Sequence, residues 1–247
     1  MPNNSKHVLV SGGAGDDVRL SSVSFFCPAY HDEANLPVLI PRVAQFLSEI
    51  TDIYEVIIVH DGSPDRTGEA ADRLASEIRN VRVIHHPRNL GYGATLRDGF
   101  LAARYDYVMY TDGDNQYDVR EFLPYLHLLT QADVLSGFAI KKAASPRRRV
   151  QSLVYNWLIA ALFFVVCRDI DCAMKVYSRK AIDSISLKST SCFIDAEMIV
   201  KAKRAGLKIA QFPVTHFPRT QGLASGSKPA IIAATVADML KFRFGCL

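Results

Sequence analysis

Short apolar runs alternate with longer helical segments between Ser22 and Phe138 of this 247-residue chain, and that alternation limits the fold more than any other feature. The apolar runs are SVSFFCP (22–28), YEVIIVH (54–60), VRVIH (81–85), DYVMYTD (106–112) and ADVLSGF (132–138). Helices are predicted between them, over about 34–50, 65–79, 92–104 and 118–130. Asp65 stands at the start of the second, and Asp118 and Glu121 fit a capping box for the last. Continuous rather than alternating hydrophobicity belongs to strands covered on both faces. Helical segments of this length suit crossovers between parallel strands. The expected fold class is therefore α/β: a Rossmann-like, mostly parallel sheet flanked by helices. Ligands bind such sheets beyond the carboxyl ends of the strands. That directs attention to the loops after Phe26, His60, Ile84, Thr111 and Phe138.

Composition narrows the alternatives. The chain is 49% hydrophobic and 22% charged, which excludes disordered and collagen-like readings. A net charge of +4 is too mild to imply nucleic-acid binding. The five cysteines form no CxxC pair and read as reduced thiols. The longest apolar run, Leu153 to Cys167, falls short of the roughly 20 residues a spanning helix needs, and Asn156 interrupts it. The first residues lack a secretory pattern, so a cytoplasmic location is expected. The GGAG at Gly12–Gly15 has the look of a dinucleotide-binding turn. Asp16, Asp17 and Arg19 follow it where an apolar helix would be needed, so residues 1–21 are expected to be a flexible leader.

Three loops could carry chemistry. In TDGDNQYD (111–118), Asp112 and Asp114 flank a glycine directly after a strand, and Gln116 adds a neutral oxygen. Hard oxygen donors of this kind suit Mg²⁺ or Mn²⁺, which in turn bind a diphosphate. A solvated acidic turn is the alternative. In VHDGSPDRT (59–67), Asp61 lies just past a strand end, where it can accept hydrogen bonds from a base or ribose. The rest of that motif is explained as a turn and helix cap. In RNLGYGATLRDG (88–99), Gly91 and Gly93 allow close backbone approach to an anion at a helix start.

These loops, with PAYHDEANL (28–36) ahead of them and DIDCAMK (169–175), AEMIVKAKRAG (196–206) and FPVTHFPRTQGLASGS (212–227) behind, resemble a family 2 glycosyltransferase of the GT-A fold. The branch they resemble holds the dolichyl- and polyprenyl-phosphate mannosyltransferases and glucosyltransferases. The resemblance covers about 22–228. It implies one catalytic domain, with a nucleotide-sugar half (22–139) and an acceptor half (140–228), followed by a C-terminal helix (229–247). It implies that Pro28, Tyr30, Asp32, Asp61, Gly91 and Asp112 hold the nucleotide sugar. Asp112, Asp114 and Gln116 would hold Mg²⁺ or Mn²⁺. Arg148, Arg149, Ser152, Lys175, Arg219 and Ser225 would line the acceptor and phosphate site, with Asn156 and Asp169 nearby. Catalytic roles fall to Asp114 and to Glu197 or Asp195, with Glu197 expected to face the site. His31 and His60 depart from the usual asparagine and aspartate, and Lys141 and Lys142 stand in for a usual arginine.

The implied reaction is metal-dependent, inverting transfer of mannose or glucose from GDP-mannose or UDP-glucose to a lipid phosphate. A phosphate monoester is already largely ionised at neutral pH and needs no base; a hydroxyl acceptor would need one. The basic Arg147–Arg149 run beside the apolar segment suits peripheral contact with an anionic membrane, at its cytoplasmic face. A hydroxyl acceptor such as a glycan and a non-catalytic nucleotide-sugar-binding protein remain open, as does a homo-oligomer.

Overall fold

The computed structural model describes residues 8–10, 18–143, 145–219, 221 and 228–246. Strands β1 (Val8–Val10) and β2 (Val18–Leu20) pair antiparallel. The stretch expected as a leader thus carries two strands, and Val18 and Leu20 join the core; the GGAG turn lies outside the described residues.

The main sheet holds seven strands: β3 (Val23–Ala29), β4 (Tyr54–His60), β5 (Val81–His85), β6 (Tyr107–Tyr110), β7 (Val134–Lys142), β8 (Lys175–Ser178) and β9 (Ile209–His216). Their order is β5-β4-β3-β6-β8-β7-β9. Every pairing is parallel except the two made by β8, which runs against β6 and β7. This is the mostly parallel mixed sheet that the alternating apolar runs imply. The chain steps one way from β3 to β4 and the other way to β6. The carboxyl ends of β3, β4 and β6 therefore meet at a switch point, where such sheets bind ligands.

Among the described residues, seven α-helices accompany the sheet: α1 (Leu36–Ile50), α2 (Thr67–Glu77), α3 (Tyr92–Ala102), α4 (Pro146–Phe163), α5 (Arg179–Asp183), α6 (Ile194–Arg204) and α7 (Pro229–Arg243). The pleat divides the core in two. Phe25, Cys27, Val56 and Ile58 pack with α1 on one face, while Phe26, Ile57, Val59 and Tyr110 pack with α3 and α6 on the other. Gly99 lets α3 lie against the sheet, because a Cβ there would stand 2.3 Å from the Phe26 ring.

Two local expectations change. Residues Val119–Thr130 form a 3-10 helix with Pro124 inside it, which removes one backbone donor. Asp118 caps it through the Arg120 N–H, but the Glu121 carboxylate accepts the Thr215 N–H of β9 instead of closing a capping box. The apolar run 153–167 is not one helix: α4 begins at Pro146 and ends where Phe164 takes a left-handed φ of 58°. No helix of the described residues is long and apolar enough to cross a membrane.

Candidate active site

The first loop after β3 is shaped by Asp32. Its carboxylate accepts the Tyr30 N–H at 3.0 Å and the Asn35 side-chain amide at 2.8 Å, and its own N–H donates to the Thr67 hydroxyl. Burial raises the pKa of Asp32, against the lowering effect of those hydrogen bonds. Asp32 therefore builds the loop that carries Tyr30. Pro28 lies under the acidic turn: a Cβ on Gly113 would stand 2.6 Å from its carbonyl oxygen, so the Asp112–Asp114 turn closes directly over β3.

Asp61 also points inward. It accepts the Leu90 and Gly91 N–H groups at 2.7 and 3.0 Å and meets His86 Nδ1 at 2.8 Å. Its carboxylate clasps the glycine turn at the start of α3. There Gly91 takes a φ of 94°, and Gly93 packs so closely on Thr190 that a Cβ would stand 2.4 Å from the Thr190 carbonyl carbon.

Asp112 lies between these loops, at the end of β6. Its partner is the Tyr92 hydroxyl at 3.1 Å. Its recessed position and the charges of Asp114 and Asp195 push its pKa up. Asp114 accepts the Gln116 N–H and pairs with the Arg219 guanidinium. Gln116 is stitched to the strand β9 exit: its side-chain amide donates to the Phe217 carbonyl at 2.9 Å, and its backbone carbonyl accepts the Phe217 N–H at 2.8 Å. That pairing brings Arg219 over the acidic turn from more than a hundred residues away. Ser225 lies outside the described residues.

Beneath Asp112 sits a buried charge pair. Lys175, with no exposed surface, donates to Asp195 at 2.6 Å, to the Tyr110 hydroxyl at 3.0 Å and to the Cys172 carbonyl at 2.7 Å. Tyr110 also hydrogen-bonds Asp195. Burial alone would lower the Lys175 pKa, but the Asp195 carboxylate outweighs it and raises it.

The structure reverses the expectation for α6. The Glu197 carboxylate accepts the Lys188 and Ser189 N–H groups at 3.0 and 2.8 Å and pairs with Lys201, so it faces the 188–189 loop rather than the site. Asp195 faces the site. Residues two apart on a helix cannot share a face.

The acceptor-side residues fall into two groups. Lys142 bonds Asp169 at 2.6 Å and the Ser152 hydroxyl at 2.8 Å, and Arg149 donates to the Lys142 carbonyl. Asn156 ties α4 to the 168–170 segment. Arg148 is exposed on the first turn of α4. Sequence reasoning missed Tyr92, Tyr110 and Tyr155. Tyr92 lies within the quoted NLGYG motif, which offered a signal; Tyr110 looked like any buried strand residue. The Tyr155 hydroxyl is buried without a hydrogen-bond partner among the described residues, near Asp171 and Asp195. The groove of about 270 Å³ bounded by Phe100, Ile182, Ile185 and Met198 is formed by other residues.

Among the described residues, no three His, Cys, Asp or Glu side chains are gathered for a metal. Mg²⁺ in nucleotide enzymes commonly takes one or two carboxylates and completes its shell with water and phosphate oxygens. The two-carboxylate turn fits that donor set, and Asp114 already accepts a cationic partner in Arg219.

The family model of glycosyl transferase family 2 matches residues 24–186. The glycosyltransferase AglD of Haloferax volcanii is 34% identical over 209 residues, which are 80% of this chain and 33% of that protein. The dolichyl-phosphate beta-glucosyltransferase ALG5A of Trichomonas vaginalis is 28% identical, over 78% of this chain and 64% of its own. The dodecaprenyl-phosphate galacturonate synthase of Rhizobium johnstonii is 27% identical, over 86% of this chain and 64% of its own. The chain thus spans less than two thirds of each of these relatives. In fold it is similar to glucosyl-3-phosphoglycerate synthase from Mycobacterium tuberculosis, solved with Mn²⁺, UDP and glucosyl-3-phosphoglycerate. The TM-score is 0.70 at 22% identity, over 92% of this chain and 81% of that one. With a family match over residues 24–186, about two thirds of its length, this chain belongs to glycosyl transferase family 2.

Proposed function

We propose that the chain transfers a hexose from a nucleotide sugar to a polyprenyl or dolichyl phosphate, with inversion and with a divalent metal, while resting on the cytoplasmic face of a membrane. The observation that carries this reading is the outer face of α4. Val150, Leu153, Val154 and Trp157 recur at helical spacing and are all exposed, Leu153 and Trp157 by more than two thirds. Phe164 and Val166, exposed by 88% and 81%, continue the apolar surface. Arg147, Arg148 and Arg149 head the same helix. An apolar stripe beside clustered positive charge suits the headgroup level of an anionic bilayer. The other side of α4, through Ser152, Tyr155 and Asn156, adjoins the Lys142–Asp169 pair and Asp195. One helix would then present a lipid and receive its phosphate.

The chemistry follows from the residues in place. Asp112 and Asp114 would hold a cation whose charge neutralises the leaving diphosphate. Lys142, Arg149 and Arg219 supply positive charge for acceptor and donor phosphates. Asp195 already accepts from Lys175 and Tyr110, so it serves as a positioning residue rather than as a base. That arrangement favours an acceptor that arrives ionised. The names of the two lipid-phosphate relatives favour glucose or galacturonate over mannose. The test is transfer of labelled sugar from UDP-glucose, UDP-galacturonate or GDP-mannose into an organic-extractable lipid. Transfer abolished by Asp112→Ala supports the reading. Absence of transfer from every donor, or a hydroxyl acceptor whose turnover needs Asp195 as base, overturns it.

A further inference from the structure

At the donor end of the site, two imidazoles lie side by side on adjacent parallel strands. His60 closes β4, His85 closes β5, and the two are register partners. Their Nδ1 atoms are 2.9 Å apart, with the rings edge to face at 78°. His60 Nε2 accepts the Ser63 N–H at 2.9 Å, and His85 Nε2 meets the Asp72 carboxylate of α2 at 2.9 Å. The His60 ring is wedged against α2, since a Cβ on Gly68 would stand 3.0 Å from its Cε1.

This chain of contacts dictates where the ring hydrogens are. The nitrogen facing the Ser63 N–H must be bare, so neutral His60 carries its hydrogen on Nδ1. That hydrogen points at His85 Nδ1, which must then accept, leaving the His85 hydrogen on Nε2 to donate to Asp72. Two ring hydrogens satisfy all three links. A third puts two hydrogens into one link, and a link opens.

The link at risk holds a functional turn. Asp61, Gly62 and Ser63 follow His60 directly. Gly62 takes a φ of 58° and packs against the Arg88 backbone, where a Cβ would stand 2.4 Å away. The Ser63 hydroxyl accepts the His31 N–H at 3.0 Å and donates to Asp65 at 2.5 Å, so the same turn also fastens the first donor loop. The neighbouring groups are His31 and Asp65 on these loops, Asp61 beyond β4, His86 beyond β5 with its contacts to Asp61 and Asp98, and Asp72 on α2.

We propose that the His60–His85 pair is a positioning element for donor binding: it fixes the Asp61–Ser63 turn that receives the nucleoside of the donor, and only while the two rings carry two hydrogens between them. This rests on the reading that the site takes a nucleotide sugar. Burial, then the neighbouring His85, holds the His60 pKa below the usual histidine value. The stabilisation from neutral His60 is therefore whole at neutral pH, and it is lost as the pH falls from about 6.5 through the lower folded-state value.

The experiment measures the Kd of UDP and of GDP with Mn²⁺ by calorimetry at pH 7.5 and in steps downward through the titration of His60, which is located by NMR of its ring protons. It compares wild type with His60→Ala and with His60→Gln, whose amide oxygen can accept from Ser63 without titrating. Relative to His60→Gln, wild type should lose a further factor of about ten in affinity on acidification, the scale of one buried hydrogen bond. His60→Ala should bind about tenfold more weakly than wild type at pH 7.5, with His60→Gln within about threefold. With substrate, the donor KM should move and kcat should hold. If His60→Ala folds and binds as wild type does, or if His60→Gln weakens with acid as much as wild type, the positioning role is overturned. If wild type binds neither nucleotide at any pH, it is the donor reading that fails.

Discussion

Lys175 and Asp195 place opposite charges 2.6 Å apart with almost no contact with solvent. Such a pair adds little net stability when intact, but removing one partner leaves a buried charge uncompensated. Lys175→Met should therefore cost about 3–5 kcal/mol of stability, read as a lowered midpoint in denaturant. Adding Asp195→Asn should recover part of it, and additive losses would show that the two do not depend on each other. Glu197 gives the contrast. Its carboxylate serves two backbone N–H groups of the 188–189 loop. Glu197→Gln should cost about 1–3 kcal/mol through those bonds yet leave kcat within a few-fold of wild type. A collapse of kcat in a variant that stays folded would return Glu197 to the chemistry. Sequence alone could not choose between the two residues, because Ile194 through Val200 are all buried. A helix buried all round has no polar face to show which side meets the site.

The elements on which the proposed function rests most are α4 and the turn after β6. Leu153, Val154 and Trp157 would be costly to leave in water unless something covers them. Leu153→Asp with Trp157→Asp should reduce binding to anionic phospholipid vesicles by about tenfold or more, while turnover of a short water-soluble prenyl phosphate persists. Vesicle binding unchanged by the double substitution would remove the membrane from the proposed function. The apolar run was legible in the sequence, but its bounds and its exposed face were not. Apolar runs of this length look alike whether they are core or surface. Here only Ile159 and Phe163 of α4 are buried. The place of the acidic turn at the end of β6 was legible, because an apolar strand running into Asp-Gly-Asp marks where the strand stops; whether it is a ligand site or a solvated turn was not. What the turn lacked in sequence was Arg219, brought to Asp114 by the pairing of Gln116 with Phe217.

For the whole molecule, the loops proposed to hold the donor converge from β3, β4 and β6, so a bound nucleotide would tie together segments far apart in sequence. A ligand that binds only the folded state raises its apparent stability. At a hundredfold excess over Kd this is about 2.7 kcal/mol, or on the order of 5–10 °C in Tm for a chain of this size. A thermal-shift panel of UDP, GDP and CDP with Mn²⁺ or Mg²⁺ should show such a rise for one nucleotide. Its loss in Asp112→Asn would place the effect at the acidic turn, and a rise equal in that variant would place it elsewhere. The sequence by itself determined the alternating strands and helices, the mostly parallel sheet and the acidic turn at a strand end, because hydrophobic period and glycine placement are local properties of the chain. Only the tertiary structure decided that β8 runs against its neighbours, that Asp195 rather than Glu197 meets Lys175, that Asp61 clasps the glycine turn and that α4 turns its apolar stripe outward. Each of these depends on which distant segment packs alongside, and packing joins residues that no local pattern relates.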